Sequence, residues 1–554
     1  MAESSDADRA AIYTKPEVVN FILDLVGYQS SRPLQKMRLL EPSMGQGEFV
    51  LAAVDRLLKS ANSTGTPLTE ASLGPCIRAV ELHPQSLGAA RTAMVQKLTS
   101  GGVDREQADG LCDQWLIQGD FLLTDFSAPF DVVAGNPPYL RQEAVPDALM
   151  TAYRQRFETI YDRADLYVPF YEHGLAQLGP GGKLGFICAN RWMKNRYGAK
   201  LRGLVARDYH LETYVDMIGT QAFQSDVISY PAITVISRQK SQITQLAYQP
   251  EIETEKLLAL SKRLTGKAGS SEANSSTRTA VGEGVVRGEA PWILDNPDHL
   301  ALVRRLEATF PNIEDAGCTV GIGVATGADK AFIGDFASLD VEDDRKLPLV
   351  TTRDIASGTL QWRGQGVINP FGPDGKLVSL ADYPKLARYL REREDVIARR
   401  HVAKKSPARW YRTIDKIHPA LTHTPKLLIP DIKGDAHIVS DPGSYYPHHN
   451  LYFIATQDWD LEALRVVLRS GVARLFVALY STRMRGGYLR FQAQYLRRIR
   501  LPEWCAITPK LREQLVAAGA DDRIDSRPLV QELYGLTAAE AELVFGAKEA
   551  DRAA

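Results

Sequence analysis

The sequence predicts an α/β fold, a mostly parallel sheet covered by helices and followed by a second, mixed α/β domain, and three observations carry that expectation. Short apolar runs alternate with helical spacing through the first half of the chain. These runs end in glycine turns, in acids or in Asn136-Pro137-Pro138-Tyr139, and open α/β sheets gather their polar groups at such strand ends. From about Gly266 to Glu289 the chain turns rich in Ser, Gly, Thr and Ala and loses its periodicity, which predicts a linker or a mobile insertion over 261–290 between two domains.

Thr14-Lys15-Pro16-Glu17 has the form of a capping box, and Val18, Val19, Phe21, Ile22, Leu25 and Val26 then repeat at helical spacing up to Gly27. Met37 to Pro42 reads as a strand running into Ser43-Met44-Gly45-Gln46-Gly47, and Phe49, Val50, Ala53, Val54 and Leu57 predict the helix after it. Glycines at such a turn let a ligand approach the backbone while the helix start offers free N–H groups, although an ordinary turn uses the same letters. Three further runs continue the alternation: Ile77 to Val80 ends in Glu81, Trp115 to Gly119 in Asp120-Phe121, and Phe130 to Ala134 in the Asn-Pro-Pro-Tyr turn. An acid closing the second strand can take both hydroxyls of a ribose, and Asp120-Phe121 can accept from an adenine amine and pack against its ring. Each acid taken alone also reads as a solvated strand end.

At Asn136-Pro137-Pro138-Tyr139 two prolines fix φ and remove two donors. The carbonyls of the turn stay free to accept, between an amide on one side and an aromatic ring on the other. That is a receptor for a flat amine; a strand-terminating Asx-Pro turn with a half-buried tyrosine is the other reading.

In this order the motifs resemble the N6-adenine DNA methyltransferases, specifically the gamma-ordered, TaqI-like branch, over about residues 10 to 240. The resemblance implies a Rossmann-like class I methyltransferase domain over 1–260, with a seven-stranded sheet whose last strand is antiparallel. Leu184 to Ala189, Leu211 to Asp216 and Ala232 to Ser237 supply the fifth to seventh strands, after a helix from about Leu166 to Leu178. It implies S-adenosylmethionine held by Thr14, Glu41, Gly45, Gly47, Glu81, Asp120 and Phe121. It further implies that Asn136 and the Pro137 carbonyl accept from the N6 amine of an adenine flipped out of double-stranded DNA, with Tyr139 stacked on the base and Phe223 as a second aromatic. Asn rather than Ser at the first position of the turn favours adenine over cytosine by the family's habit. A loop phenylalanine packed on the sheet edge is the other reading of Phe223. RNA and protein-glutamine methyltransferases carry the same turn and form the main alternative; a DNA reader that has lost catalysis is a third class.

Beyond Pro291, a helix over Leu300 to Leu306 and strands at Ala331 to Ile333, Lys426 to Pro430 and Leu451 to Ala455 predict a mixed α/β target-recognition domain over 291–505, followed by a helical tail over 506–554. Across the 554 residues, 66 Lys and Arg nearly cancel 67 Asp and Glu, so any affinity for a polyanion rests on segregated charge. Two segments supply it. From Lys385 to Lys416 bases mingle with acids, as on a solvated helix face, whereas Arg465 to Arg500 holds no acid at all. Arg483, Arg485, Tyr488, Arg490, Arg497 and Arg498 in the second segment suit phosphate and base-edge contacts and are the expected DNA-binding residues.

Gly179-Pro180-Gly181-Gly182-Lys183 lacks the spacing of a phosphate loop and reads as a helix-to-strand turn. His448 and His449 would point to opposite faces of an extended segment, and Cys76, Cys112, Cys188, Cys318 and Cys505 form no close pair, so neither a metal site nor a disulfide framework is expected. The acidic N-terminus and the lack of an apolar run of ~20 residues predict a cytoplasmic protein. The resemblance places it, as a monomer, in a restriction-modification or phage-defence system beside a separately encoded endonuclease. Only about ten residues precede the first helix, too few for a fused nuclease.

Overall fold

The computed structural model describes residues 12–225, 230–266, 277–294, 297–431, 438–481 and 489–546. The chain divides into two compact units, one ending at Pro297 and one beginning at Asp298.

In the first unit the strands are β1 (Leu39–Glu41), β2 (Ile77–Glu81), β3 (Leu116–Gln118), β4 (Phe130–Gly135), β5 (Leu178–Ala189), β6 (His210–Asp216), β7 (Pro231–Ser237), β8 (Ile243–Tyr248) and β9 (Arg278–Glu283). Among the described residues they form one sheet in the order β3-β2-β1-β4-β5-β7-β6-β8-β9. The first five run parallel, and β7 lies antiparallel between β5 and β6. The sheet therefore has nine strands where seven were expected, because β8 and β9 extend it beyond β6. Both faces are covered. Leu39, Val132 and Ala134 enter one core with the helices α1 (Pro16–Leu25) and α2 (Glu48–Thr64), while their neighbours Leu40 and Val133 enter the other with Tyr171, Phe186 and Trp192. Strand periodicity alone sends adjacent residues to opposite faces, which is why Leu39-Leu40 and Val132-Val133-Ala134 are continuous apolar runs.

Three expectations for this unit need correction. Thr14 does not cap α1: Lys15 is the N-cap residue and no side chain caps it, because the Thr14 hydroxyl is engaged elsewhere. Gly179 to Gly182 is not a turn before β5 but a bulge within it, where the pairing with β4 jumps from Leu178 to Lys183 and Gly181 takes φ +74°. The supposed linker contains β9, and beyond it Glu289 and Ala290 offer carbonyls to the buried Arg202 at 2.7–3.0 Å while Trp292 packs on Trp192. A polar, small-residue composition concealed a strand whose apolar partners lie on β8.

The second unit holds two four-stranded sheets among its described residues. One is ordered β10 (Cys318–Ile322), β17 (Leu451–Thr456), β14 (Lys426–Pro430), β15 (Val439–Asp441). The other is ordered β11 (Ile333–Asp335), β13 (Gln365–Ile368), β12 (Lys346–Val350), β16 (Tyr446–Pro447). The strand expected at Ala331 begins only at Ile333, since Asp329–Phe332 forms a helical turn. The residues expected as a separate tail belong to the unit, for Leu515 in the helix Pro509–Ala520 is buried and a Cβ at Gly519 would collide with the Glu462 carbonyl. Lys426 and Asp441 are both 0% exposed and pair at 2.7 Å; the ammonium also donates to the carbonyls of Leu421 and Thr424 at 2.9 and 3.0 Å, so all three of its N–H groups are used. His448 and His449 do not point apart: the strand ends at Pro447, the chain turns so that the Leu451 N–H reaches the His448 carbonyl, and the two rings lie 4.0 Å apart. Among the described residues no helix is long and apolar enough to cross a membrane.

Candidate active site

The first unit's sheet reverses its direction of growth at β1, whose neighbours are β2 on one side and β4 on the other. A crevice opens at the carboxyl ends of strands at such a switch point. Glu41 closes β1, Asn136 follows β4, and Gly135 between them is small enough for the chain to pass Pro42, whose Cδ would lie 3.2 Å from a Cβ there.

Gly45 and Gly47 take φ of +57° and +99°, the left-handed region that favours glycine, and Gly47 leads into α2. Glu81 braces this turn: its two carboxylate oxygens accept from the Gly45 N–H at 2.7 Å and the His83 N–H at 2.8 Å. Glu41 is 1% exposed and its Oε2 has no partner. Burial pushes its carboxyl well above the usual range, the nearby charge of Glu48 adds to this, and a backbone N–H at Val50 opposes it. Asp120 accepts from the Leu122 N–H at 3.0 Å and from the Tyr153 hydroxyl. Phe121 is 2% exposed and packed against Phe170 and His173 at 5.0 and 4.6 Å.

Asn136 is held by its amide nitrogen, which donates to the Ile12 carbonyl at 2.8 Å and to the Thr14 hydroxyl at 3.2 Å. A carbonyl can only accept, so the nitrogen must face Ile12 and the oxygen must face away. That Oδ1 is buried and has no partner. The segment around Thr14 is laced to the loop that carries Phe223: the Lys15 N–H donates to the Ala222 carbonyl at 3.0 Å and the Gln224 N–H to the Tyr13 carbonyl at 2.9 Å. This brings Phe223, 8% exposed, edge-on to Tyr139 with ring centroids 6.5 Å apart. The Tyr139 hydroxyl is also without a partner. Pro137 is buried beside them.

Residues 91–223, the span that holds Asp120, the Asn-Pro-Pro-Tyr turn and Phe223, match the family model of the Eco57I restriction-modification methylases. The type II methyltransferase M.PaeR7I of Pseudomonas aeruginosa is 55% identical over 542 residues, 97% of this chain and 94% of its own. The chain belongs to the type II restriction-modification methyltransferases. M.XhoI of Xanthomonas vasicola is 54% identical over 97% of this chain and 99% of its own, and M.BstVI of Geobacillus stearothermophilus 44% identical over 97% and 98%. Among solved structures, that of the type IIL restriction-modification enzyme MmeI in complex with DNA aligns with TM-score 0.60 and 11% identity over 97% of this chain and 77% of that one, a likeness of fold.

The arginines expected to bind DNA in this type II methyltransferase fare differently. Arg483, Arg485 and Tyr488 lie outside the described residues. Arg490 is ion-paired with Asp431 at 2.5 Å, and Arg497 with Glu314 at 3.0 Å while it also donates to the Val320 carbonyl at 2.7 Å. Arg465 and Arg469 pair with Glu462 and Asp522 at 2.8 and 2.7 Å. Acids from outside the segment thus pair with four of its arginines. Arg498 is exposed and stacked on the Tyr480 ring at 4.2 Å. Among the described residues, no ion pair holds the exposed Arg391, Arg399, Lys404, Lys405 or Arg409, so the first basic segment presents more open charge than the sequence suggested.

Two participants escaped sequence reasoning. The Ile12 carbonyl is a backbone atom 124 residues from Asn136, and Tyr153 stands 33 residues from Asp120 on a helix with no distinguishing motif. No local signal marks either.

Proposed function

We propose that this enzyme transfers a methyl group from S-adenosylmethionine to the N6 amine of an adenine flipped out of double-stranded DNA, as a gamma-ordered, TaqI-like adenine methyltransferase. The observation that carries the reading is Asn136, a buried amide whose nitrogen is tied down and whose oxygen is left open. Leaving a buried acceptor unmet costs about 1–3 kcal/mol, which an ordinary turn has no reason to bear.

The residues present fit the cofactor. The unmet Glu41 oxygen, the left-handed glycines that keep Cβ atoms off the turn, and Glu81 and Asp120, whose carboxylates retain lone pairs, would hold it. When bound, S-adenosylmethionine supplies a methyl group on a sulfonium leaving group. An adenine amine is a poor nucleophile because its lone pair is delocalised into the ring. Asn136 Oδ1 and the Pro137 carbonyl, both accepting from its N–H groups, draw the nitrogen toward tetrahedral geometry and stabilise the positive charge it gains. Thr14 and Ile12 keep the amide from flipping, so that an oxygen and not an NH₂ group meets the amine. Extraction of the base from the stack costs a few kcal/mol, and Tyr139, with Phe223 edge-on behind it, gives the ring a surface to stack on.

The first unit does the chemistry and the second reads the duplex. Arg483, Arg485, Tyr488 and Arg498 are its proposed contacts, joined by the exposed cations between Arg391 and Arg409. The enzyme works as a cytoplasmic monomer, its counterpart a separately encoded restriction endonuclease. Membership among type II methyltransferases weighs against an RNA or protein-glutamine substrate. Sequencing that reads methylated bases in DNA from cells expressing the protein tests the proposal: N6-methyladenine at one recurrent site is expected, and N4-methylcytosine or an unmodified genome would overturn it.

A further inference from the structure

We propose that the second unit contains a binding site for a borderline divalent transition cation of the Zn²⁺ type, formed by Asp329, His448 and His449. One imidazole nitrogen from each histidine and one carboxylate oxygen lie within 4.8 Å of one another. His448 Nε2 is already 3.2 Å from Asp329 Oδ2, close to the edge of about 3.3 Å that a tetrahedron with metal-ligand bonds near 2.0–2.1 Å requires. His449 is exposed and closes the remaining gap by side-chain rotation.

The ligands are held by backbone. Asp329 opens the helical turn between β10 and β11, and the histidines form the turn between β16 and β17, so both segments are places where the chain crosses from one four-stranded sheet to the other. Val324 and His448 form a β-bridge, the His449 N–H donates to the Val324 carbonyl at 3.0 Å, and the His448 N–H donates to the Val350 carbonyl at 2.9 Å. A Cβ at Gly323 would collide with the carbonyls of Pro447 and His448, so the two crossings touch only because that residue is glycine. The buried Thr326 hydroxyl donates to Asp329 Oδ1 at 2.5 Å and aims Oδ2 at the histidine.

His448 is 8% exposed and its Nδ1 has no hydrogen-bond partner. Asp329 and His449 face solvent, which gives a cation a way in and leaves room for water as a fourth ligand. Two imidazoles with one carboxylate suit Zn²⁺, Co²⁺ or Ni²⁺; Mg²⁺ prefers an all-oxygen shell. A bound ion would clip the two sheets together where they exchange strands.

The test uses the untagged full chain, stripped with a chelator and titrated with ZnCl₂ in a calorimeter. One equivalent should bind, the melting temperature should rise with it, and Co²⁺ in its place should show the visible absorption of a tetrahedral site. D329N and H449Q should each weaken binding by at least about tenfold, and H449Q, at an exposed position, should leave the metal-free melting temperature unchanged. Absence of saturable binding at one equivalent, or unaltered binding in both variants, would overturn the site.

Discussion

At the end of β4 the protein leaves hydrogen-bonding capacity open, whereas in the arginine-rich stretch of its second unit four of the described arginines are paired with carboxylates. Asn136 Oδ1, the Tyr139 hydroxyl and Glu41 Oε2 are buried and unmet. Arg465, Arg469, Arg490 and Arg497 are polar in the extreme, yet each already has a carboxylate. An unmet buried acceptor is unfavourable in the folded chain and so points to something that arrives later. A guanidinium already paired with a carboxylate has part of its capacity spent within the fold. The kind of residue is thus a weaker sign of a site than whether its atoms are satisfied.

The largest effect should come from the open side of this contrast. Asn136→Ala should slow transfer of labelled methyl groups to duplex DNA by on the order of 10³-fold, with S-adenosylmethionine affinity in calorimetry nearly unchanged. A variant that retained its rate would break the comparison. On the closed side, Asp441→Ala strands the fully buried Lys426 ammonium and should cost about 3–5 kcal/mol of stability in a urea melt; a loss under about 1 kcal/mol would show that water reaches the pair.

Thr14→Val removes one of two anchors of the Asn136 nitrogen, and kcat should fall roughly tenfold, to be restored by Thr14→Ser. Equal losses in the serine and valine variants would make the methyl group, not the hydroxyl, the part that matters. The smallest effects sharpen the arginine side. Arg497→Ala should cost under about 1 kcal/mol and leave the salt dependence of DNA affinity unaltered, while reversing Arg483 and Arg485 should flatten that slope by roughly one per lost phosphate contact. A flattened slope in Arg497→Ala would mean that Glu314 gives up its partner to DNA.

Legibility in the sequence followed the range of the interactions. β1, β2, β3 and β4 could be read because each is a short apolar run ended by its own turn residues, and Glu41, Glu81, Asp120 and Asn136 fall at those ends. β9 could not, since Arg278 to Glu283 has little apolar character and is a strand only because β8 offers an edge. Thr14 has the spacing of a cap residue, and only the arrival of Asn136, 122 residues on, diverts its hydroxyl. A count of charge along Arg465 to Arg500 finds no acid because Asp431 and Glu314 lie 59 and 183 residues from the arginines they answer. His448 and His449 would diverge only on a chain extended past Pro447, and the turn there depends on contacts the local letters do not show.

The lacing of residues 12–15 to the loop at 222–224 has a consequence for how the enzyme comes into being. Asn136 is held by Ile12, and the segment around Thr14 is held in turn by Ala222 and Gln224, so the proposed catalytic amide depends on contacts spanning 124 and 210 residues. Contacts of such range close late, after the local strands and helices have formed. During synthesis the motif is complete once Tyr139 is made, but its geometry waits for the loop at Phe223 to emerge. On the proposed function, a nascent chain that already carries Gly45, Gly47 and the Asn-Pro-Pro-Tyr turn would still lack modification activity until the sheet is assembled.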